Sequence, residues 1–166
     1  MNAGFDLNVF QIDASLVTVH MEAANMEDVI QQLAGVLIEQ GYVKPSFTAA
    51  ALERESTCPT GLPTKGVGTA IPHAEVEHTL KPGIAVGTLA HSVTWGLLGD
   101  PEQSQEVSVV FMLSVTEPSD QIYLLQSLIE MYGDEQMLLK LQAATDPAMI
   151  VEEVNRALER IGAARK

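Results

Sequence analysis

Apolar residues at Val29, Ile30, Leu33, Leu37 and Ile38 recur three and four positions apart, the period of one helix face. Asn25 stands ahead of them as an N-cap, with Glu27 and Asp28 in the first turn, where carboxylates meet the positive end of the helix dipole. Gly41 supplies the stop. Ser46 is placed to cap a second helix from Phe47 to about Arg54. Near the C-terminus, Ile122, Leu125, Leu128, Ile129 and Tyr132 predict one face of a helix, and Asp134 caps another through Lys140. Asp146-Pro147 opens a last helix whose stripe is Ile150, Val151, Val154, Leu158 and Ile161. Residues 1–13 read as an irregular start. Leu16–His20 is β-rich, and shorter extended runs follow at Thr69–Ile71, Gly83–Ala90 and Glu106–Val115. The Thr-, Pro- and Gly-rich stretch Glu55–Gly68 reads as a loop. Interleaved helices and strands predict an α/β layered fold with helices covering a sheet.

Length and composition narrow the picture. The chain has 166 residues, 46% apolar and 19% charged, which predicts one domain over 1–166 with a real core and excludes global disorder. Its formal net charge of −13 makes nucleic acid and anionic membrane surfaces poor partners, because phosphate contacts need clustered Lys and Arg. No Lys or Arg occurs from Pro82 to Leu139, while eight Asp and Glu do. The longest apolar run, Val107–Val115, is broken by Ser108 and Ser114 and is far short of the ~20 residues a membrane helix needs. The first residues carry neither a basic nor an apolar signal region, so a cytoplasmic location is expected. One cysteine, Cys58, excludes an internal disulfide and a multi-cysteine metal site.

Chemistry-bearing residues gather between Arg54 and Lys81. Gly61 and Gly66 have P-loop spacing, but Val67 and Gly68 stand where Lys and Ser/Thr are required. Gly66 and Gly68 are followed by Ile71 rather than the third glycine of a dinucleotide fingerprint. His73, Glu75, Glu77 and His78 form an acid/imidazole cluster. The five-residue step between the histidines does not put both on one helix face, and no metal is expected. Cys58 could in principle pair with His73 as a nucleophile. His73 itself could accept a phosphoryl group. Pro72 holds Ile71 extended, so the chain leaves a strand and presents the imidazole beside a loop offering hydroxyls, N–H groups and Arg54. Spacing alone leaves these alternatives open.

Arg54-Glu55, then Pro59-Thr60-Gly61, then Ala70-Ile71-Pro72-His73, with Gly83-Ile84-Ala85-Val86 following, resembles the signature of the IIA component of the bacterial phosphoenolpyruvate-dependent sugar phosphotransferase system, fructose/mannitol branch. The resemblance runs from Asn25 to the final helix. It implies a mixed β-sheet between helices and phosphorylation of His73 by the carrier protein HPr. It further implies transfer to a cysteine of a IIB partner, with the membrane IIC component involved only indirectly and no cofactor. Arg54 and Thr60 would support the phosphate. Mannitol- and fructose-type members usually carry a second histidine at the start of a late helix, and Gln121 occupies that place here. Galactitol-type members share that replacement, and they share the form that Glu75 and His78 fit after the motif; His78 is therefore a further supporting candidate. A regulatory IIA-like module, phosphorylated on His73 without a transport role, is the alternative.

Overall fold

The computed structural model describes residues 5–64 and 66–164. In chain order the elements are β1 (Val17–Met21), α1 (Met26–Glu39), α2 (Phe47–Thr57), β2 (Gly61–Leu62), β3 (Thr69–Ala70), β4 (Gly83–Leu97), β5 (Asp100–Ser114), α3 (Pro118–Tyr132), α4 (Glu135–Ala143) and α5 (Pro147–Ala164). The sheet is mixed. β1 lies parallel on one side of β4 (Val17 beside Val86), and β4 and β5 form a long antiparallel hairpin from Gly83↔Ser114 outward. β3 adds parallel to β5, β2 pairs antiparallel with β3, and Gly61 of β2 meets Leu97 at the far end of β4. The two short strands thus bridge from β5 back to β4.

Burial shows where the helices lie. The first seven residues of β4 and the last six of β5 are buried without alternation, the mark of a sheet covered on both faces. α1 packs on both strands and on α2, while α3, α4 and α5 pack together, with α4 on β4 and β5 and α5 on β1. The caps predicted at Asn25 and Asp134 form. Asn25 Oδ1 accepts from Asp28 N at 2.9 Å, and Asp134 Oδ1 from Met137 N at 3.1 Å. α1 ends in a Schellman motif, with Gly41 at φ +80° and Tyr42 N bonded to the Leu37 carbonyl.

Several expectations need correction. The hairpin is longer than the two runs predicted at 83–90 and 106–115. Val93 and Trp95 turn inward, and Leu98-Gly99, with Gly99 at φ +78°, joins the strands. The outer residues of β5, 100–104, are exposed and, apart from Pro101, polar, so they carry no hydrophobic period to read. Ser46 makes no side-chain cap; its hydroxyl lies 2.8 Å from His78 Nδ1. α2 runs on to Thr57, and Gly61–Leu62 is strand within the predicted loop. On α3 the buried face is Leu124, Ser127, Leu128, Met131 and Tyr132, whereas Ile122 and Ile129 are exposed. The irregular start contains a short 3-10 turn at Leu7–Phe10 and buries Leu7 and Phe10, and a second turn, Ala14–Leu16, follows it, so the strand begins at Val17 rather than Leu16; residues 1–4 lie outside the described residues. Asn155 fastens the start to α5 through both polar groups of Ile12, at 2.8 Å each.

The strands approach so closely at Gly68 that a Cβ there would lie 1.9 Å from the Glu106 carbonyl oxygen. Gly35, in the middle of α1, has open space where a Cβ would stand. The same substitution therefore has opposite signs. Gly35→Ala is expected to stabilise by about 0.5–1 kcal/mol, and Gly68→Ala to destabilise by about 1–3 kcal/mol or more. Urea unfolding midpoints of the two variants check this.

Candidate functional site

β3 fixes the site through its register on β5, with Thr69 beside Val109 and Ala70 beside Val110. Past Ala70 the chain leaves the ladder. Leu113 N still donates to the Pro72 carbonyl at 3.0 Å, and His73 lies in a parallel bridge with Leu113. His73 therefore sits at the carboxyl ends of two parallel strands. Its ring is buried.

The two ring nitrogens have different surroundings. Nδ1 lies 2.9 Å from the Ile71 carbonyl. A carbonyl only accepts, so Nδ1 carries the hydrogen and Nε2 of the neutral ring carries a lone pair. Nε2 is buried and has no hydrogen-bond partner among the described residues; the same holds for Arg54 Nε and Thr69 Oγ1. Native proteins rarely leave such atoms unpaired, and they concentrate where a ligand or reaction supplies the partner. Burial holds the His73 pKa below its ordinary 6.5; the Ile71 hydrogen bond opposes this, the Arg54 charge reinforces it and Glu75 opposes it. A neutral, lone-pair-bearing Nε2 is a nucleophile.

Arg54 lies in the last turn of α2 and its guanidinium pairs with Glu75, two residues beyond His73. Thr60 is buried, and both its groups are engaged. Its backbone N and hydroxyl donate to Glu55, and the hydroxyl oxygen accepts from Ile71 N at 3.2 Å. The structure thus brings Arg54, Thr60 and Glu75 around the Ile71–His73 segment, with Thr60 beneath the motif. His78 turns its Nδ1 to Ser46 Oγ. Gln121 is half-buried in the first turn of α3 and makes no side-chain hydrogen bond among the described residues. The acid/imidazole cluster is dispersed to separate partners, and no group of three metal-ligating side chains assembles among the described residues. Glu55 and Trp95 went unread in the sequence. Glu55 stood in the motif without a role, and Trp95, forty residues on, gave no signal.

Residues 10–157 match the family model described as the phosphoenolpyruvate-dependent sugar phosphotransferase system, EIIA 2. The chain belongs to the EIIA type 2 family. This EIIA domain is 37% identical over 100 residues to the transcriptional regulator ManR of Bacillus subtilis, covering 60% of the chain and 14% of the relative. It is 26% identical over 148 residues to the mannitol-specific EIICBA component of Escherichia coli, covering 87% of the chain and 22% of the relative. The chain therefore spans less than a quarter of either relative. A solved complex of the mannitol enzyme IIA with phosphorylated enzyme IIB from Escherichia coli superposes with a TM-score of 0.72 at 26% identity, covering 91% of this chain and 99% of that one. No helix among the described residues of the EIIA domain is long and apolar enough to cross a membrane.

The buried imidazole makes stability pH-dependent in a stated direction. The unfolded chain protonates His73 near 6.5 and the folded EIIA domain only below that, so the unfolded state holds more protons in the window between them. Stability falls as pH is lowered through that window. Ring-resonance titration by NMR should give a His73 midpoint below 6.5, and His73→Gln should lose this component of the acid destabilisation in denaturant titrations.

Proposed function

We propose that this EIIA domain carries a phosphoryl group on His73 Nε2, taken from the phosphohistidine of HPr and passed to a cysteine of a IIB partner. The observation that carries the reading is the buried, unpartnered Nε2 of a ring whose other nitrogen is already bonded. In the forward step the Nε2 lone pair attacks phosphorus while the nitrogen–phosphorus bond of the donor breaks, and that electron pair returns to the donor's imidazole. His73 keeps its Nδ1 hydrogen throughout. The step needs positioning and charge stabilisation rather than a strong base. Arg54, with its unpaired Nε, is the cation placed to receive phosphoryl oxygens. Transfer between proteins of this kind is cytoplasmic and reaches the membrane IIC component only through IIB.

The transporter we favour is galactitol-type, on Gln121 in place of a second histidine and on Glu75 and His78 after the motif. A regulatory role is the second reading, favoured by the 37% identity to a transcriptional regulator. In that case phosphorylation of His73 would change binding rather than feed transport.

Incubation with phosphoenolpyruvate, enzyme I and HPr, read by intact mass, tests the proposal. The expected result is one acid-labile phosphoryl group, absent from His73→Ala. Arg54→Gln should accept it about 10²-fold more slowly, the loss typical of removing one donor from a developing anion. No mass gain with active enzyme I and HPr would sink the reading. Adding candidate IIB domains separates its two forms: loss of the label to a galactitol-type IIB supports transport, and retention supports regulation.

A further inference from the structure

Beneath the motif lies a buried carboxylate that the transfer step does not use. Glu55 is 2% exposed and accepts from three donors: Thr60 N at 2.6 Å, the Thr60 hydroxyl at 2.9 Å and Trp95 Nε1 at 2.6 Å. Burial pushes its pKa up, and these hydrogen bonds together with the Arg54 charge pull it back. The donors arrive from two separated parts of the chain, the loop after α2 and the inward face of β4. A carboxylate has lone pairs for all three and no hydrogen to place, so the donor set matches its ionised form.

The chain of bonds continues toward the site. With its hydrogen committed to Glu55, the Thr60 oxygen presents lone pairs, and it accepts from Ile71 N at 3.2 Å. The other polar group of Ile71, its carbonyl, accepts from His73 Nδ1 at 2.9 Å. Ile71 is thus held on both sides, and Pro72 after it narrows its backbone further. From these bonds we infer that Glu55 is a positioning residue, anchored by Trp95, which acts through Thr60 and the Ile71 peptide to fix His73 as its Nδ1–H tautomer with Nε2 bare. This deepens the phosphoryl-carrier reading and rests on it for its consequence in rate. The tautomer itself is a property of the resting protein.

Three variants of the full chain test the relay, with ring nitrogen shifts of His73 measured in the unphosphorylated state. Glu55→Gln offers two oxygen lone pairs to three donors and adds two hydrogens, so at least one donor is left unpaired. Thr60→Val keeps shape and loses the hydroxyl; Thr60→Ser keeps the hydroxyl and loses a methyl. The expected result is a mixed-tautomer pattern in Glu55→Gln and Thr60→Val, and the wild-type Nδ1–H pattern in Thr60→Ser. A purely structural role predicts the reverse order for the Thr60 pair, because valine preserves packing. Phosphorylation by HPr should slow about 10- to 100-fold in the first two variants, the usual loss when a group orienting a reactive residue is removed. If His73 keeps the wild-type pattern in both Glu55→Gln and Thr60→Val, the relay is wrong. Should Glu55→Gln fail to fold, the Thr60 pair alone decides. Failure of the wild type to accept phosphate would overturn the carrier reading and leave the tautomer comparison standing, so the two failures are distinguishable.

Discussion

A neutral imidazole can be buried only if its N–H finds an acceptor, and for His73 that acceptor is the carbonyl two residues before it. Losing that bond would leave a buried donor unmet, at a cost of about 1–3 kcal/mol. The bond requires Ile71 to leave the sheet with its carbonyl turned back toward the ring. That demand reaches outward through the fold. β3 must stop after two residues, β5 must continue past it so that Leu113 can hold Pro72, and β2 must bring Thr60 under Ile71 N. The continuous apolar burial of β4 and β5 supplies the rigid floor on which these demands are met. What remains after they are met is an unsatisfied ring nitrogen, Nε2; among the described residues only Arg54 Nε and Thr69 Oγ1 are likewise buried side-chain atoms without a partner.

The Arg54–Glu75 pair adds little to stability. Its side chains are 34% and 60% exposed, a range in which ion pairs contribute about 0–1 kcal/mol. What the pair does is hold the guanidinium beside His73 while leaving Nε without a partner. Arg54 adds to the depression of the His73 pKa and Glu75 works against it, so the pair as a unit perturbs the ring less than a lone cation would. Burial remains the larger influence, and it keeps the ring uncharged without help from an added base.

Helices with one buried face were legible in the chain. For α1 and α5 the apolar period and the buried positions agree closely, with only Ile38 and Val151 of the predicted stripes left half-buried, because each helix turns one stripe inward. α3 was legible as a helix but not in its orientation. Ile122 and Ile129 extend an apolar pattern onto an exposed side, and Ser127 is buried with its hydroxyl donating to the Tyr123 carbonyl. The outer half of the hairpin was silent because exposed polar residues such as Ser104, paired with Gly96, are held by backbone bonds that leave no trace in hydrophobicity. His73 and Arg54 were legible as candidates beside the Thr- and Gly-rich loop, and Thr60 only through the family resemblance. The part Thr60 takes was not, since its hydroxyl is spent on Glu55 and Ile71 rather than facing open space. The Glu55–Trp95 bond joins residues forty positions apart, in a strand whose outer part carried no readable signal, and only the folded register brings them together.

Gln121 sharpens the question of charge. A histidine at that place could carry a proton to an arriving phosphoryl group; an amide can donate a hydrogen bond but bring no charge. With His73 held neutral, the cation beside it among the described residues is the Arg54 guanidinium, already shared with Glu75. Two further cations close by in the fold are engaged elsewhere: Lys44 Nζ donates to the Glu77 carbonyl at 2.8 Å, and Lys81 lies over the Tyr42 ring. On the carrier reading, the remaining compensation must come from the protein that docks. A transfer between two proteins permits that division, because the reacting group is desolvated only when both faces are in place, and electrostatic attraction then strengthens in the water-excluded interface. An arginine already shared with Glu75 therefore favours partners that bring their own cations. It also ties the loading of His73 to docking, because the charge needed to stabilise the transferring group is incomplete until the partner arrives.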